Sequence, residues 1–489
     1  MNDSANFAGY QADDIEFLGI VFGPVGSYEF KFAVTASVER NEYVQVHHGA
    51  YGWLLGRVDE VRLETDLTSE GAKKVAMGES VAFSEEEIAQ ATIVGYADGK
   101  GGIASPKQPV AAGTRVYRAT DETIASVLGL SSEANGARIG TLHGRALPVQ
   151  MDIEAMVQKH ISIVAKTGGG KSYLAGVLME EMLKHSVTTL VLDPHGEYGS
   201  LRDAEGNGGQ KSAFASEVIE FATDVEVNAA AQPLRFTCSN FSASELLSLT
   251  GMAENRGAIS ALTVCLERVK EKGQDYVIQD IITEMEEGDN PLLSQLRKEL
   301  GVISAMNIFS EHGTRTDQIA NPGKTTIINF KGATPEVQGL FARRLLTALF
   351  EQRKRGKIPP LLVVLEEAHN FCPQQGKTEA SRIIRTIAAE GRKFGLWIMV
   401  ITQRAAKVDK NVLSQCNTQF ILKLTNVNDI KAVASSVEGM TAEMLQEIPR
   451  LQTGVAIAIG GGLPVPLLVD VRKRLTRHGG ESVSTLWRK

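Results

Sequence analysis

The chain has 489 residues, of which 43% are hydrophobic and 22% are charged, and its formal net charge is −7. This length predicts two or three domains, and the composition excludes a disordered or low-complexity chain. The negative charge excludes a protein that attracts nucleic acid through a global positive field. The four cysteines form no CxxC pair, which argues against a zinc knuckle or disulfide framework and favours a reducing, cytoplasmic setting.

No segment of the sequence predicts export or membrane insertion. Residues 1–10 are polar and lack the basic-then-apolar pattern of a signal peptide. The longest apolar runs, such as Leu361–Leu365, are far shorter than the ~20 residues that cross a bilayer. We therefore expect a cytoplasmic protein without a membrane partner.

Residues 1–135 are predicted to form a small β-barrel or sandwich, because short β-rich runs alternate there with turn residues. The predicted strands are Phe17–Phe22, Phe30–Ala33, Tyr43–Val46, Gly56–Leu63 and Ala91–Tyr96, and a helix is predicted at Asp121–Leu128. The glycine-containing segment 136–150 is interpreted as a linker.

Residues 151–472 are predicted to form an α/β domain with a mainly parallel, doubly wound sheet. A strand at Ile161–Ala165, a helix from Lys171 to His185 and a strand at Thr188–Leu192 give the required β-loop-α-β order. Helical spacing at about 240–315 predicts an all-α insertion. Further predicted strands are Thr325–Phe330, Leu361–Leu365, Leu396–Thr402, Phe420–Leu424, Val455–Ile459 and Pro464–Val471. A basic tail, 473–489, follows. Four basic residues around its start are expected to reach a neighbour: Arg472, Lys473, Arg474 and Arg477.

Residues 165–172 match the phosphate-binding loop (P-loop) except at Ala165, where the pattern has glycine. Consecutive glycines let backbone N–H groups surround a phosphate, and the following helix directs its positive end at the same anion. Lys171 would reach the β- and γ-phosphates and Ser172 would hold Mg²⁺. The alternative is a glycine-rich strand-to-helix turn. ATP and Mg²⁺ are thus the expected cofactors, and the candidate binding residues are Thr167, Gly168, Gly169, Gly170, Lys171 and Ser172.

Two carboxylates follow the apolar run Leu361–Leu365, at the strand end where a doubly wound sheet places its ligand crevice. Glu366 would orient Mg²⁺, and Glu367 would polarise the water that attacks the γ-phosphate. The alternative is a pair of solvated acids at a strand end.

With these motifs the sequence resembles the HerA family of hexameric ATPases, relatives of the FtsK DNA pumps on the RecA-like fold. The resemblance covers most of the chain, and it implies a RecA-like motor behind an N-terminal HAS-type barrel. Further motifs that carry it are Asp193–Tyr198, Glu366–Phe371, Glu390–Gly395, Thr402–Arg404 and Arg477–Gly480.

The resemblance also implies roles for individual residues. Arg392 is expected to be an arginine finger that enters the neighbouring subunit's nucleotide site, the alternative being an ordinary exposed arginine. Gln403 is placed to sense the γ-phosphate, or to form a structural hydrogen bond. Candidate DNA contacts in a central channel are Lys377, Arg382, Arg404 and Lys407, each of which is otherwise a solvated surface charge.

The function implied is ATP hydrolysis that drives a homohexameric ring along double-stranded DNA. The resemblance implies a partner that docks on the barrel face: a NurA-like nuclease, or an anti-phage effector of the sirtuin-like or nuclease type. The alternative is a scaffold in which ATP switches a ring that activates the partner without transporting DNA.

Overall fold

The computed structural model describes residues 15–99, 102–130, 136–206, 209–273, 276–285, 290–437 and 440–480. The chain divides into two compact units. The first comprises residues 1–134, 145–150 and 463–466, and the second comprises 135–144, 151–462 and 467–489. The polar N-terminus at 1–10, the boundary expected after residue 135 and the end of the basic tail at 481–489 lie outside the described residues.

Six antiparallel strands of the first unit close a barrel. Its elements are β1 (Phe17–Phe22), β2 (Glu29–Val34), β3 (Tyr43–His48), β4 (Gly52–Thr65), α1 (Ser69–Ala76), β5 (Glu85–Ala97), β6 (Ile103–Ala104), β7 (Arg115–Arg118) and α2 (Asp121–Leu128). The strand order is β2-β1-β7-β3-β4-β5, and β5 pairs back to β2. The unit is therefore a barrel rather than a sandwich. β7, which the sequence pattern does not indicate, completes the ring by pairing with both β1 and β3.

The barrel interior is filled by alternate residues of its strands. Phe30 and Phe32 on β2 are 1% and 0% exposed, whereas Glu29 and Lys31 between them face outward. Val44 on β3 and similar side chains of the other strands complete this core. The period-2 pattern that predicts strands thus also selects the residues that fill the interior.

The second unit is built on a sheet of twelve strands. They are β8 (Gly136–Leu142), β9 (Pro148–Asp152), β10 (Ile161–Val164), β11 (Thr189–Asp193), β12 (Val218–Ala222), β13 (Gln232–Pro233), β14 (Thr325–Asn329), β15 (Leu361–Leu365), β16 (Leu396–Thr402), β17 (Thr418–Ile421), β18 (Val455–Ile459) and β19 (Leu467–Val471). The order is β13-β12-β14-β11-β15-β16-β10-β17-β18-β19-β8-β9. Pairing is parallel from β13 to β17, and antiparallel from β17 through β18 and β19 to β8.

Helices connect these strands and form the insertion. They are α3 (Ile153–Gln158), α4 (Lys171–Lys184), α5 (Ala243–Leu247), α6 (Arg256–Lys272), α7 (Ile278–Glu284), α8 (Pro291–Ala305), α9 (Thr316–Ile319), α10 (Pro335–Lys354), α11 (Ser381–Glu390), α12 (Lys410–Leu413), α13 (Val427–Ser436) and α14 (Ala442–Glu447). Helices α5 to α8 fall within the segment predicted as an all-α insertion, and their apolar faces join the core of the parallel sheet. The predicted fold class is confirmed.

Part of the segment interpreted as a linker, 136–150, belongs to this sheet. Strand β8 pairs antiparallel with β19, with Gly140 opposite Val471. Gly140 and Gly144, which suggest a linker in the sequence, are glycines for other structural reasons. A Cβ atom at Gly140 would overlap the Asp470 carbonyl oxygen, and Gly144 has a φ of 74°. Close strand approach and a tight turn therefore require glycine at these two positions.

The start of the expected basic tail is packed rather than extended. Arg474 and Thr476 are 6% and 0% exposed, and both contact Glu180 of α4. Arg477 pairs with Asp203 of its own chain at 2.8 Å. Of the four basic residues expected to reach a neighbour, three thus have acidic partners within the chain, since Arg472 also pairs with Glu180.

Across the described residues, no helix combines the length and the apolar character that spanning a bilayer would need.

Candidate functional site

The P-loop connects buried strand β10 to α4. β10 lies between β16 and β17, so the loop leaves the carboxyl edge of the parallel sheet near its centre. Gly168 and Gly170 have φ of 70° and 94°, a region that only glycine adopts readily. Gly170 caps α4 without a side-chain hydrogen bond, so the first N–H groups of the helix are directed at the loop. This is the backbone arrangement that binds phosphate.

Ala165 fits the loop despite its departure from the P-loop pattern. It is fully buried, and its N–H donates to the Thr402 carbonyl at 3.3 Å. Among the described residues, the non-glycine positions with positive φ do not include Ala165. Its backbone therefore needs no glycine.

Lys171 is held by the acidic pair. Its Nζ donates to Glu366 Oε1 and lies 3.2 Å from Glu367 Oε1. Both carboxylates follow β15, which is two strands from β10 in the sheet, so parallel strand ends bring all three side chains to one edge. Burial raises the pKa of Glu366 from its usual value, and the Lys171 ammonium opposes that rise. The sequence-predicted lysine and acids are thus brought together.

Glu367 occupies a strained position. Its φ is 49°, in the left-handed region that non-glycine residues rarely adopt. The residue is 7% exposed, and its Oε2 accepts no hydrogen bond from the described residues, although His369 Nδ1 lies 3.3 Å away. His369 Nδ1 is also 3.1 Å from Thr402 Oγ1. Such strain and a buried acceptor without a hydrogen bond are costly, and they are typical of residues that act on a ligand.

The Asp193–Tyr198 motif forms a turn that supports Glu366. The Asp193 carboxylate accepts hydrogen bonds from the backbone N–H of His195, Gly196 and Tyr198, at 3.2, 2.9 and 3.0 Å. Tyr198 Oη then donates to Glu366 Oε2 at 2.6 Å. Burial raises the pKa of Asp193 to about 6, against these hydrogen bonds. The motif therefore holds one carboxylate oxygen of Glu366, the candidate Mg²⁺ ligand, and Lys171 holds the other.

A cavity of ≈ 670 Å³ opens at this edge of the sheet. Its lining includes P-loop residues together with Glu367 and Gln403, and also residues from later in the chain. Thr167 Oγ1 donates to Gln403 Oε1, so the glutamine is tied to the P-loop. The later residues are Leu422, Thr453, Gly454, Val471, His478 and Gly480. The volume is within the range of ligand pockets, ≈ 300–1,000 Å³.

The donor chemistry of the site fits Mg²⁺. Ser172 lines the cavity. Glu366 is buried and is not among the lining residues, and its two carboxylate oxygens are held by Lys171 and Tyr198. Hydroxyl and carboxylate oxygens are the hard ligands that Mg²⁺ prefers, usually alongside substrate phosphates.

Arg392 is not in this cavity. It lies in a 3-10 turn, Gly391–Phe394, that precedes β16, whereas Gln403 follows the same strand. Seven residues of strand span roughly 20 Å, so the two side chains flank opposite edges of the sheet. Arg392 Nη2 donates to three oxygens of its own chain: the carbonyls of Lys159 and Gln415, and Asn417 Oδ1.

The four candidate DNA contacts are exposed, and the loops that carry Lys377 and Lys407 are joined by a hydrogen bond from the Gln374 N–H to the Lys407 carbonyl at 2.7 Å. Arg404 follows β16 at the carboxyl edge, and Arg382 lies in the first turn of α11. Lys377 and Lys407 lie in the loops after β15 and β16. Their role stays a prediction.

Sequence reasoning gives no role to several residues of the site. Thr453 and Gly454 line the cavity although no motif includes them, and the φ of 91° at Gly454 shows that a turn requires glycine there. His369, Tyr198 and His478 lie in the family motifs, but the sequence assigns them no physical role. Their contacts depend on strand order, which a linear motif does not contain.

Known proteins resemble the chain over most of its length. Residues 137–349 match the family described as "Helicase HerA, central domain". The DNA double-strand break repair helicase HerA of Pyrococcus furiosus is 26% identical and aligns over 97% of each chain. The chain is therefore similar to HerA proteins over nearly its whole length. The protein of the same name from Sulfurisphaera tokodaii is also 26% identical, and the alignment covers 96% of each chain.

A solved structure supports the fold of this chain. VirB4 of Thermoanaerobacter pseudethanolicus superposes with a TM-score of 0.50 at 12% identity, and it covers 70% of this chain and 97% of that one. The second unit therefore has the RecA-like P-loop ATPase fold.

Proposed function

We propose that the chain is an ATPase that forms a homohexameric ring and translocates double-stranded DNA. The observation that carries the proposal is Lys171, which lies between Glu366 and Glu367 at the mouth of a cavity lined by the P-loop. The names of the HerA relatives, which are repair helicases, support DNA as the substrate.

ATP binding would release Lys171 from the acids. The β- and γ-phosphates compete for its ammonium and for the P-loop N–H groups, since both are anion ligands. Ser172 and Glu366 would hold Mg²⁺, which neutralises charge on the phosphates. Tyr198 would keep Glu366 oriented once the lysine has moved.

Glu367 would then act as the base. Its Oε2 is buried and accepts no hydrogen bond from the part of the chain that the structure describes, so it is available to a water next to the γ-phosphate. Gln403, bound to Thr167 of the P-loop, would report whether that phosphate is present. These two residues follow adjacent parallel strands, β15 and β16, so one ligand can contact both.

The position of Arg392 supports the proposed ring. An arginine at the amino edge of the sheet has no route to the cavity at the carboxyl edge of its own subunit, but a neighbour's cavity is accessible to it in a ring. A cation supplied in this way stabilises the transferred phosphoryl group. Family resemblance supports six copies and a partner on the barrel face, either a NurA-like nuclease or an anti-phage effector of the sirtuin-like or nuclease type.

The test is ATP hydrolysis by the purified chain with and without linear duplex DNA. We expect at least a severalfold stimulation by long duplexes, and loss of hydrolysis in both Lys171→Ala and Glu367→Gln. Glu367→Gln should keep ATP bound, whereas Lys171→Ala should not. Wild-type hydrolysis that ignores DNA and rises only with a partner protein would favour the ATP-switched scaffold instead.

A further inference from the structure

The Asp193–Tyr198 and Arg477–Gly480 motifs contact each other beside the cavity. The proposed mechanism gives them little part. Gly479 packs on the Asp193–Tyr198 turn so closely that a Cβ atom there would overlap the Glu197 carbonyl oxygen. His478 and Gly480 both line the cavity, as does Glu197. The Arg477–Gly480 motif is thus a wall of the nucleotide site.

The segment before this motif is fixed on α4 by a buried acid. Glu180 is 1% exposed, and its Oε1 accepts hydrogen bonds from the N–H groups of Leu475 and Thr476 and from Thr476 Oγ1, at 2.8, 2.8 and 2.7 Å. Side chains along 473–477 alternate between exposed and buried. The segment therefore directs one set of residues, Arg474 and Thr476, at the P-loop helix.

Arg474 occupies a space that a glycine provides. A Cβ atom at Gly176, in the interior of α4, would overlap the Arg474 guanidinium. Glycine inside a helix is destabilising relative to alanine, so its use here is explained by the arginine that packs against it. Arg474 is 6% exposed, and burial lowers its pKa from the usual value of an arginine.

The buried arginine determines the tautomer of His478. Arg474 Nη1 lies 3.3 Å from His478 Nδ1, and a guanidinium can only donate. Nδ1 must therefore accept, which places the imidazole proton on Nε2. The ring also packs edge-on against Tyr173, with centroids 5.9 Å apart and an interplanar angle of 63°. Tyr173 Oη is fixed in turn, since it accepts from the Arg474 N–H at 3.0 Å.

We propose that His478 is a further nucleotide-binding residue, which donates from Nε2 to an oxygen of the bound nucleotide, and that Arg474 is its positioning residue. The inference rests on the proposed function, because it requires that the cavity takes ATP. It extends the site beyond the P-loop and the strand ends to the C-terminal segment of the chain.

The location of the ring supports an oxygen acceptor. His478 contacts Tyr173, the third residue of α4, and the first turn of this helix carries the N–H groups that bind phosphate. A neutral N–H donor adds to that anion site without the desolvation cost of another buried cation. The acceptor is either a phosphate or a sugar oxygen, and a series of nucleotides separates the two.

The experiment measures the affinity of the full chain for ATPγS, ADP and AMP. His478→Ala should weaken binding by about tenfold and raise KM for ATP by a similar factor, with kcat within about twofold of wild type. Equal weakening for all three nucleotides places the acceptor on the sugar or α-phosphate, and weakening for ATPγS alone places it on the γ-phosphate. His478→Gln, which retains a donor, should recover part of the affinity.

Arg474 is tested through the same readout. Arg474→Lys should raise KM without lowering kcat, and combining it with His478→Ala should add nothing further, because both changes remove one interaction. Leu475→Ala is the matched control, since that side chain lies in the same segment but is 60% exposed.

Unchanged nucleotide affinity in His478→Ala would overturn this inference and leave the proposed function intact. Absence of ATP hydrolysis by the wild type, or full hydrolysis by Lys171→Ala, would remove the proposed function itself.

Discussion

The two edges of the parallel sheet hold ionisable groups in opposite ways. At the carboxyl edge, Glu366 and Glu367 converge on Lys171. At the amino edge, the cation Arg392 is held by uncharged oxygens. His160, which lies behind it, is fully buried, and its pKa is lowered to about 4 by burial and then by the Arg392 charge.

This difference suggests that the two edges supply different groups to one reaction. The carboxyl edge has the P-loop and the two acids, and its negative charges outnumber its positive ones. The amino edge has Arg392, whose hydrogen-bond acceptors include no carboxylate among the described residues. One chain thus carries two complementary surfaces that it cannot bring together itself. If a neighbour joins them, changes at the two edges should have separable effects.

The largest effect is expected from Arg392→Ala. Loss of an arginine finger costs about 10³-fold or more in kcat, because charge on the transferred phosphoryl group is no longer balanced. Nucleotide binding by the same subunit should change little. Steady-state ATPase rates and ATPγS affinity check both statements, with the adjacent exposed Lys393→Ala as control.

Mixed rings sharpen this prediction. Co-expression of Arg392→Ala with Lys171→Ala subunits should restore part of the activity that each variant lacks, because some interfaces then combine an intact P-loop with an intact arginine. Mixed rings without any recovered activity would show that Arg392 does not act across an interface.

A smaller effect is expected at the carboxyl edge from Tyr198→Phe. The change removes the hydrogen bond to Glu366 Oε2, which should lower kcat by about tenfold and the free energy of unfolding by about 1–2 kcal/mol. Tyr276→Phe is the matched control, since that buried hydroxyl has no hydrogen-bond partner among the described residues. Equal kcat values for the two variants would contradict a role for the Asp193–Tyr198 turn in catalysis.

The smallest effect on kcat is expected from His160→Asn. This change should nevertheless have a clear effect on the free energy of unfolding. Asparagine tolerates the φ of 54° at this position and keeps an acceptor for the Ile398 N–H. We expect kcat at pH 7.5 to stay within about twofold. The pH dependence of unfolding should change instead.

The direction follows from the pKa of His160. This pKa is about 4 in the folded chain, whereas a solvated histidine has a pKa of 6.5. The unfolded chain therefore binds more protons between these pH values, and stability falls as pH drops through that window. From pH 7 to 4.5 the wild type should lose about 2 kcal/mol more than His160→Asn. Asp193, whose pKa is raised to about 6, acts with opposite sign, so the difference between the two proteins in denaturant unfolding is the quantity to measure.

The sequence predicts those parts of the site that are local in the chain. The P-loop, its flanking strand and helix, and the acids after Leu361–Leu365 are contiguous patterns with one physical interpretation each. The strand at Leu396–Thr402 is also predicted with its observed bounds. Buried parallel strands are continuous apolar runs, and these are conspicuous in a sequence.

The missed features depend on residues that are distant in sequence. β7 has only four residues, and its role in closing the barrel comes from two partners that lie earlier in the chain. The contact of Tyr198 with Glu366 requires knowing that β11 and β15 are neighbours. Gly176 is an available signal, because glycine inside a predicted helix indicates close packing, but nothing in the pattern identifies Arg474 as its partner.

The pairing of β8 with β19 has a practical consequence for dissecting the chain. A fragment that starts at residue 151, where the sequence places the beginning of the motor, would lack β8 and leave the β19 backbone uncovered. An unpaired edge of this kind recruits strands from other molecules, and such a fragment should aggregate. A fragment that starts at residue 136 keeps β8 paired with β19. The seven residues of β8 therefore determine where the motor can be truncated.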